Sequence, residues 1–324
     1  MLLSIIIPAY NCADTLKAAV SSAVLFEDAE IIIVNDGSTD NTPETIDELC
    51  KKYSCVKYIH QKNSGPAKAR NTGIDIAEGK YIMFIDSDDT FSDNAYRKIV
   101  SSISDNTDVL IFGFKQCFYG RADDKIYSSD SPFTIDEYYK NNLLNQVWNK
   151  AYKRDFLNSN NIRFKDYRYG EDRIFNAEVL SCMPEVKAIP DILYNYNIDK
   201  SVSLISGYIP EKFNACKIIN SYFSKLCDDK SITGYMFLKN VLSCMTVLFA
   251  DNCRLTVKEK KAEIKTIITD EAVTESLCNK QDSAANEIIR RIITSGNVTI
   301  NYIFAAAVAF CQKHFLPVFL KFRK

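Results

Sequence analysis

The residues in this chain best suited to chemistry are Asp86-Ser87-Asp88-Asp89, three carboxylates within four positions. Acids this close repel one another, and the arrangement becomes favourable when a hard divalent cation with oxygen ligands joins them. A metal carrying a phosphate is the chemistry this suggests. A solvated turn or a helix N-cap is the competing reading, since Asp-Asp-Thr also suits capping. Immediately before the acids, Tyr81-Ile82-Met83-Phe84-Ile85 is a short apolar run that reads as a central strand buried on both faces. Ligands of open α/β sheets sit outside the carboxyl ends of strands, so the acids are expected to face a crevice.

The elements that would position them follow a regular rhythm. Ser4-Ile5-Ile6-Ile7 is a β-branched strand stopped by Pro8, and a helix with apolar Leu16, Ala19, Val20 and Ala23 comes next. Glu30-Ile31-Ile32-Ile33-Val34 is a second buried strand ending in Asn35-Asp36-Gly37-Ser38-Thr39-Asp40, and Thr42-Pro43 opens another helix. Val56-Lys57-Tyr58-Ile59, a helix from Gly65 to Ala77, the strand at 81–85, a helix at 93–104 and a strand at 108–112 continue the series. Such alternation specifies a mainly parallel sheet with helices on both sides. From about residue 115 the rhythm loosens, with a helix expected at 172–182 and a strand at 192–196. After about 208 the pattern is helical, near 211–227, 232–250, 256–269, 284–295 and 299–316. We therefore expect a catalytic domain over 1–205, with halves at 1–112 and 113–205, and a helical region over 206–324.

Composition bounds the function. The 324 residues are 47% hydrophobic and 25% charged, and 40 basic against 41 acidic residues leave no global field to recruit nucleic acid. Eleven cysteines without a C-x-x-C pair fit buried thiols in a reducing compartment and argue against zinc or iron–sulfur sites. Only His60 and His314 are available, so carboxylates must carry acid–base work. Met1 to Pro8 lacks the positively charged start of a signal peptide, so the expected location is cytoplasmic. After Glu287 there is no acid, while Arg290, Arg291, Lys313, Lys321, Arg323 and Lys324 alternate with apolar and aromatic residues. The run Tyr302 to Cys311 is about half of the roughly 20 residues that span a bilayer, so it suits either the plane of a membrane surface or a helix that packs on the domain.

Pro8-Ala9-Tyr10-Asn11, Val34 to Asp40, Gly65-Pro66-Ala67-Lys68-Ala69-Arg70-Asn71-Thr72-Gly73 and Asp86-Ser87-Asp88 occur in an order and spacing that resembles the bacterial family 2 glycosyltransferases of the GT-A fold. Trp148-Asn149-Lys150 and Gly170-Glu171-Asp172 look like the acceptor half of the same family. The resemblance covers roughly residues 1–205. It implies that Pro8, Ala9, Tyr10, Asn11, Asp36 and Gly37 hold a nucleobase and ribose. A carboxylate such as Asp36 accepts from a uracil N–H, so a UDP-sugar is the expected donor. Lys68 and Arg70 would lie near the diphosphate, Asp86 and Ser87 near ribose or metal, and Asp88 on a Mn²⁺ or Mg²⁺ ion. A solvated helix face is the plain reading of Lys68 and Arg70.

Sugar transfer also needs a base for the acceptor hydroxyl, as in inverting glycoside hydrolysis. The family pattern matches Asp172 to that role. A helix N-terminus would keep it anionic at neutral pH, although Glu171 and Asp172 could simply satisfy that helix end. Trp148 could stack on the acceptor sugar or pack in the core. Relatives often carry a basic residue after the Tyr-rich strand; here Tyr194-Asn195-Tyr196-Asn197-Ile198-Asp199 has none before Lys200. The implied acceptor is a glycan or lipid-linked oligosaccharide in cell-surface polysaccharide assembly. Two rivals accompany this reading. Asp86-Ser87-Asp88-Asp89-Thr90 fits the D-x-D-x-T pattern of haloacid-dehalogenase-like phosphatases, with Asp86 as nucleophile. A non-catalytic scaffold subunit would keep the fold but lose Asp88 or Asp172, and both are present.

Overall fold

In a computed structural model, residues 1–118, 125–198, 207–278 and 283–314 are described. The chain folds as two compact units, one made of Met1–Tyr167 with Glu171–Lys200 and the other of Arg168–Gly170 with Ser201–Lys324.

The first unit opens with β1 (Leu3–Ala9), α1 (Ala13–Ala23), β2 (Ala29–Asn35), α2 (Thr42–Lys52), β3 (Val56–His60), α3 (Pro66–Ile76) and β4 (Tyr81–Phe84). It continues through β5 (Thr90–Phe91), α4 (Ala95–Ser102), β6 (Val109–Phe118), β7 (Lys125–Tyr127), α5 (Ile135–Lys140), β8 (Lys150–Lys153), α6 (Arg154–Ser159), α7 (Glu171–Ser181) and β9 (Val186–Ile198). The strands form one sheet in the order β3-β2-β1-β4-β8-β6-β9-β5, with β7 paired to β6. β3, β2, β1 and β4 are parallel, as the alternating pattern requires. Their runs of Ile5-Ile6-Ile7, Ile31-Ile32-Ile33 and Tyr81 to Ile85 are fully buried, as befits strands covered on both faces. Beyond β4 the sheet is mixed: β8 is antiparallel to both β4 and β6, and β9 runs parallel to β6.

The chain leaves β1 on one side for β2 and β3, then crosses to the other side for β4. The gap between β1 and β4 is thus the topological switch point, the place outside the carboxyl ends of the strands where open α/β sheets take their ligands. The first strand runs one residue past Pro8. Its pairing with β4 ends at Ile6 and Phe84, so nothing on that side calls for the amide hydrogen that proline lacks. The close approach of α3 to β1 depends on Gly73, where a Cβ would come within 2.4 Å of Ile6 Cγ2.

At the opposite end of the sheet, Glu30 is buried and accepts from Ser4 Oγ (2.5 Å) and the Glu78 amide (2.7 Å), with Lys57 Nζ at 2.9 Å. Burial alone would raise this carboxyl, but these donors hold it below the usual carboxylate range.

In the second unit, α8 (Lys212–Leu226), α9 (Lys230–Thr246), a 3₁₀ turn (Val247–Phe249), α10 (Val257–Ile268), α11 (Glu271–Ser276), α12 (Ala284–Thr294) and α13 (Val298–His314) enclose a separate core. Phe237, Val241, Met245, Ile264, Ile293 and Ala305 are central to it. Lys230–Phe249 is long and apolar enough to cross a bilayer, but 56% of its most apolar window is buried, as for a central core helix. Cys216, Cys227 and Cys244 are buried as expected, whereas Cys182, Cys278 and Cys311 are exposed.

Candidate active site

Helix α3 starts at Pro66 and carries Arg70 on its buried face, 4% exposed. Nη1 donates to Asp172 Oδ1 and Nη2 to Asp86 Oδ1, both at 2.9 Å, and Glu171 Oε1 lies 3.6 Å from Nη1. Burial alone would weaken Arg70's hold on its proton; the three carboxylates reverse that and raise it. Arg70 therefore spends both terminal nitrogens of its guanidinium on acids, while its buried Nε–H has no partner among the described residues. Lys68, two positions earlier and hence on the opposite side of the helix, is exposed, whereas Arg70 is buried.

Asp86 follows β4 at the switch point. Its amide donates to Tyr194 Oη (3.1 Å), whose hydroxyl in turn donates to Asp89 Oδ2 (2.8 Å). Asp89 is fully buried and also accepts from the Asn197 amide at 2.7 Å, while Asn197 Nδ2 donates to the Asp88 carbonyl. Burial, then the charges of Asp86 and Asp88, push the Asp89 carboxyl well up. Asp89 thus ties the acidic turn to β9, whereas Asp88 itself is exposed. Lys200 lies outside the described residues.

At the tips of β1 and β2, Tyr10 is 50% exposed and Asn11 adopts a positive φ of 48°. Asn11 Oδ1 accepts from the Thr39 amide (2.8 Å) and its own amide donates to Ser38 Oγ (3.0 Å), locking the two tips together. Asp36 is 4% exposed. Its Oδ1 accepts from Gln61 Nε2 (2.7 Å) and the Ser64 amide (2.9 Å), and its Oδ2 from the Gly65 amide (2.7 Å). This organises the loop that leads into α3 and leaves Asp36 one acceptor position on Oδ2. Gly37 permits the approach, because its φ is +75° and a Cβ would sit 2.7 Å from the Asn63 amide nitrogen.

Glu171 and Asp172 occupy the first turn of α7. The helix is pinned one turn on. Phe175 stacks on Phe164 at 4.1 Å, and Asn176 accepts from Tyr152 Oη (2.6 Å) and donates to the Leu144 and Gln146 carbonyls. Asp172's side chain is 20% exposed. Burial, with Glu171 and Asp86 adding to it, pushes this carboxyl up to about 7 against the pull of Arg70 and Lys150. That tempers the expected effect of the helix end, which favoured the anion. Lys150 is buried with Nζ donating to the Leu143 carbonyl at 2.8 Å and Asn149 Oδ1 at 2.7 Å, and burial lowers it to about 7. Trp148 does not present a face to an acceptor. It is 3% exposed, stacked on Tyr194 at 4.3 Å and 9°, and edge-on to Phe114, so it packs on the face of the sheet formed by β6 and β9.

Gln61 was not singled out from the sequence, and Asn71, Asp89 and Tyr194 stood within its motifs without the positioning roles the fold gives them. Asn71 exchanges two 2.8 Å hydrogen bonds with the Phe164 backbone, and Thr72 Oγ1 donates to Gln61 Oε1, so the stretch around Arg70 is anchored throughout. The available signals were the third acid after the D-x-D pair and the unexplained polarity of Asn71-Thr72.

A Mn²⁺ or Mg²⁺ ion fits the donor set at the switch point. Asp88 offers an exposed carboxylate, and Asp86 keeps Oδ2 outside its bond to Arg70. Ions that also hold substrate phosphates need only one or two protein carboxylates. Among the described residues no cluster of three or more His, Cys, Asp or Glu side chains is arranged to enclose a metal unaided.

The "Uncharacterized glycosyltransferase YibD" of Escherichia coli (strain K12) is 31% identical over 209 residues, 60% of each chain. The "Uncharacterized glycosyltransferase EpsJ" of Bacillus subtilis (strain 168) is 31% identical over 208 residues, again 60% of each. The chain thus spans about 60% of the length of these curated relatives. The crystal structure of S. aureus TarS 1–349 in complex with UDP-GlcNAc matches with a TM-score of 0.71 at 18% identity, covering 97% of this chain and 92% of that one. This likeness gives the fold, which is GT-A. The phosphatase reading loses its ground, since Asp86 follows the fourth strand and is held by Arg70. The model described as glycosyl transferase family 2 matches residues 4–165, which include Asp36 after β2, Arg70 on α3 and Asp86 and Asp88 after β4, and the chain belongs to that family.

Proposed function

We propose that this protein is an inverting glycosyltransferase that moves a sugar from a UDP-sugar to a hydroxyl of a glycan or lipid-linked oligosaccharide, in cytoplasmic steps of cell-surface polysaccharide assembly. The observation that carries the proposal is the joint hold of buried Arg70 on Asp86 and Asp172, which brings the donor end of the crevice and a carboxylate base to one cation. The exposed ring of Tyr10 offers a face to the nucleobase, and the Asn11, Asp36 and Gly37 tips shape the ribose end. Asp86 and Asp88 would hold Mn²⁺ or Mg²⁺, which when bound supplies positive charge against the diphosphate. Asp172 Oδ1 is fixed by Arg70, which leaves Oδ2 to take the proton from the acceptor hydroxyl. The acceptor oxygen bonds to the anomeric carbon on the face opposite the diphosphate, and the pair of electrons in the breaking bond leaves with UDP. The solved neighbour with UDP-GlcNAc supports a uridine donor.

The test is UDP release from a panel of UDP-sugars with glycan and lipid-linked acceptors. Wild type should turn over one donor, and Asp172→Asn should lose about 100-fold or more in kcat while still binding UDP. Because the active base is the anion and its carboxyl sits at about 7, kcat/KM should fall as pH drops below that value. Absence of nucleotide binding by a folded protein, or a pH profile flat through this range with Asp172→Asn fully active, would refute the assignment.

A further inference from the structure

Helix α13 is buried on one side only. Asn301 and Ala305 face the core of the helical unit, Tyr302 meets Phe249 edge-on at 5.1 Å, and Lys313 Nζ is tied to Asp251 at 2.7 Å. The other side carries Ile300 (49% exposed), Ile303 (61%), Ala307 and Phe310 (57%), with His314 against the Phe310 ring. These positions fall within one narrow arc of the helix, at spacings of three and four. A soluble surface rarely collects β-branched and aromatic residues in one stripe without a use for them. Over its described residues, Val298–His314, the helix is about 25 Å long, enough to lay this stripe along a membrane surface.

Charge selects the partner. From residue 288 to the end there is no Asp or Glu, and the ten residues that follow His314 are Phe315-Leu316-Pro317-Val318-Phe319-Leu320-Lys321-Phe322-Arg323-Lys324. A stripe of exposed isoleucine leading into a sequence that is apolar and cationic together matches an anionic lipid surface. A second copy of the chain would bring the same cations into contact, and the stripe covers only two heptads where a coiled coil needs three or four. We propose that the Ile300–Ile303–Ala307 face of α13 docks the protein on anionic bilayers, lying in the interface with its isoleucines among the acyl chains. This goes beyond the donor chemistry and stands without it.

The experiment is co-sedimentation of the full chain with vesicles of phosphatidylcholine alone and of phosphatidylcholine mixed with phosphatidylglycerol, at low and high salt, for wild type and the double variant Ile300→Glu/Ile303→Glu. Both positions are exposed, so the variant should keep its thermal midpoint and UDP binding. Wild type should partition to the anionic vesicles, less so at high salt, and the variant about tenfold less or weaker still. The proposal is overturned if wild type stays in the supernatant, if the variant binds equally, or if neutral vesicles bind as well as anionic ones. It is also overturned if light scattering shows a wild-type dimer that the variant abolishes and lipid does not compete.

Discussion

Arg70 was readable as a member of a motif but not as a contact. The residues it joins lie 16 and 102 positions away, at Asp86 and Asp172, and no periodicity or spacing rule connects a helix residue to the first turn of another helix at that range. What the fold adds is a two-pronged grip, Nη1 on one carboxylate and Nη2 on the other, that a lysine cannot reproduce because an ammonium is a single point of charge. Arg70→Lys should therefore keep the charge yet lower kcat by about 100-fold through misplacement of Asp172, with UDP affinity little changed; steady-state kinetics beside UDP calorimetry would show the split. Equal losses in both would mean that Arg70 serves the nucleotide instead. Trp148 shows the opposite limit of sequence. As the chain's one tryptophan it invited a ligand role, but its neighbours Tyr194, Tyr196 and Phe114 come from strands whose register only the folded sheet sets.

The elements of the first half were legible because each obeys one rule throughout: a β-branched strand, a polar tip, a helix. The second half was legible only where an element is long enough to show its pattern, as for the helix expected at 172–182 and the strand expected at 192–196, which appear as α7 and within β9; β8 has four residues and α5 and α6 six each, too few to display a period. α3 matters most among the elements, since it holds Arg70, Asn71 and Thr72 and packs on β1 through Gly73. Gly73→Ala introduces a methyl where Ile6 already stands, and α3 must shift or Ile6 must leave its rotamer. We expect a loss of about 1–3 kcal/mol in denaturant unfolding and a fall in kcat together, because the same helix positions Arg70. An unchanged midpoint with full activity would show that the helix can retreat freely.

For the whole molecule, each unit owns a hydrophobic core, and the α/β unit is also braced by polar contacts far from the crevice. Glu30 is the clearest of these. Glu30→Ala should lower the stability of the α/β unit by roughly 2 kcal/mol, measured by urea unfolding. Because the folded state depresses this carboxyl, its contribution is complete above the unfolded value of about 4.3 and is lost as pH falls through the folded value. The deficit of the variant should thus be full at pH 7 and shrink in acid; a deficit independent of pH would assign it to packing. Lys57, the partner that Glu30 shares, lies on β3 at one end of the sheet order, while the other end is the two-residue β5. An outer strand exposes a row of amide and carbonyl groups to which another chain could add. A short strand at one end and a lysine held in place by a buried acid at the other make this sheet a poor template for such addition, so Glu30 guards against aggregation as well as bracing the fold.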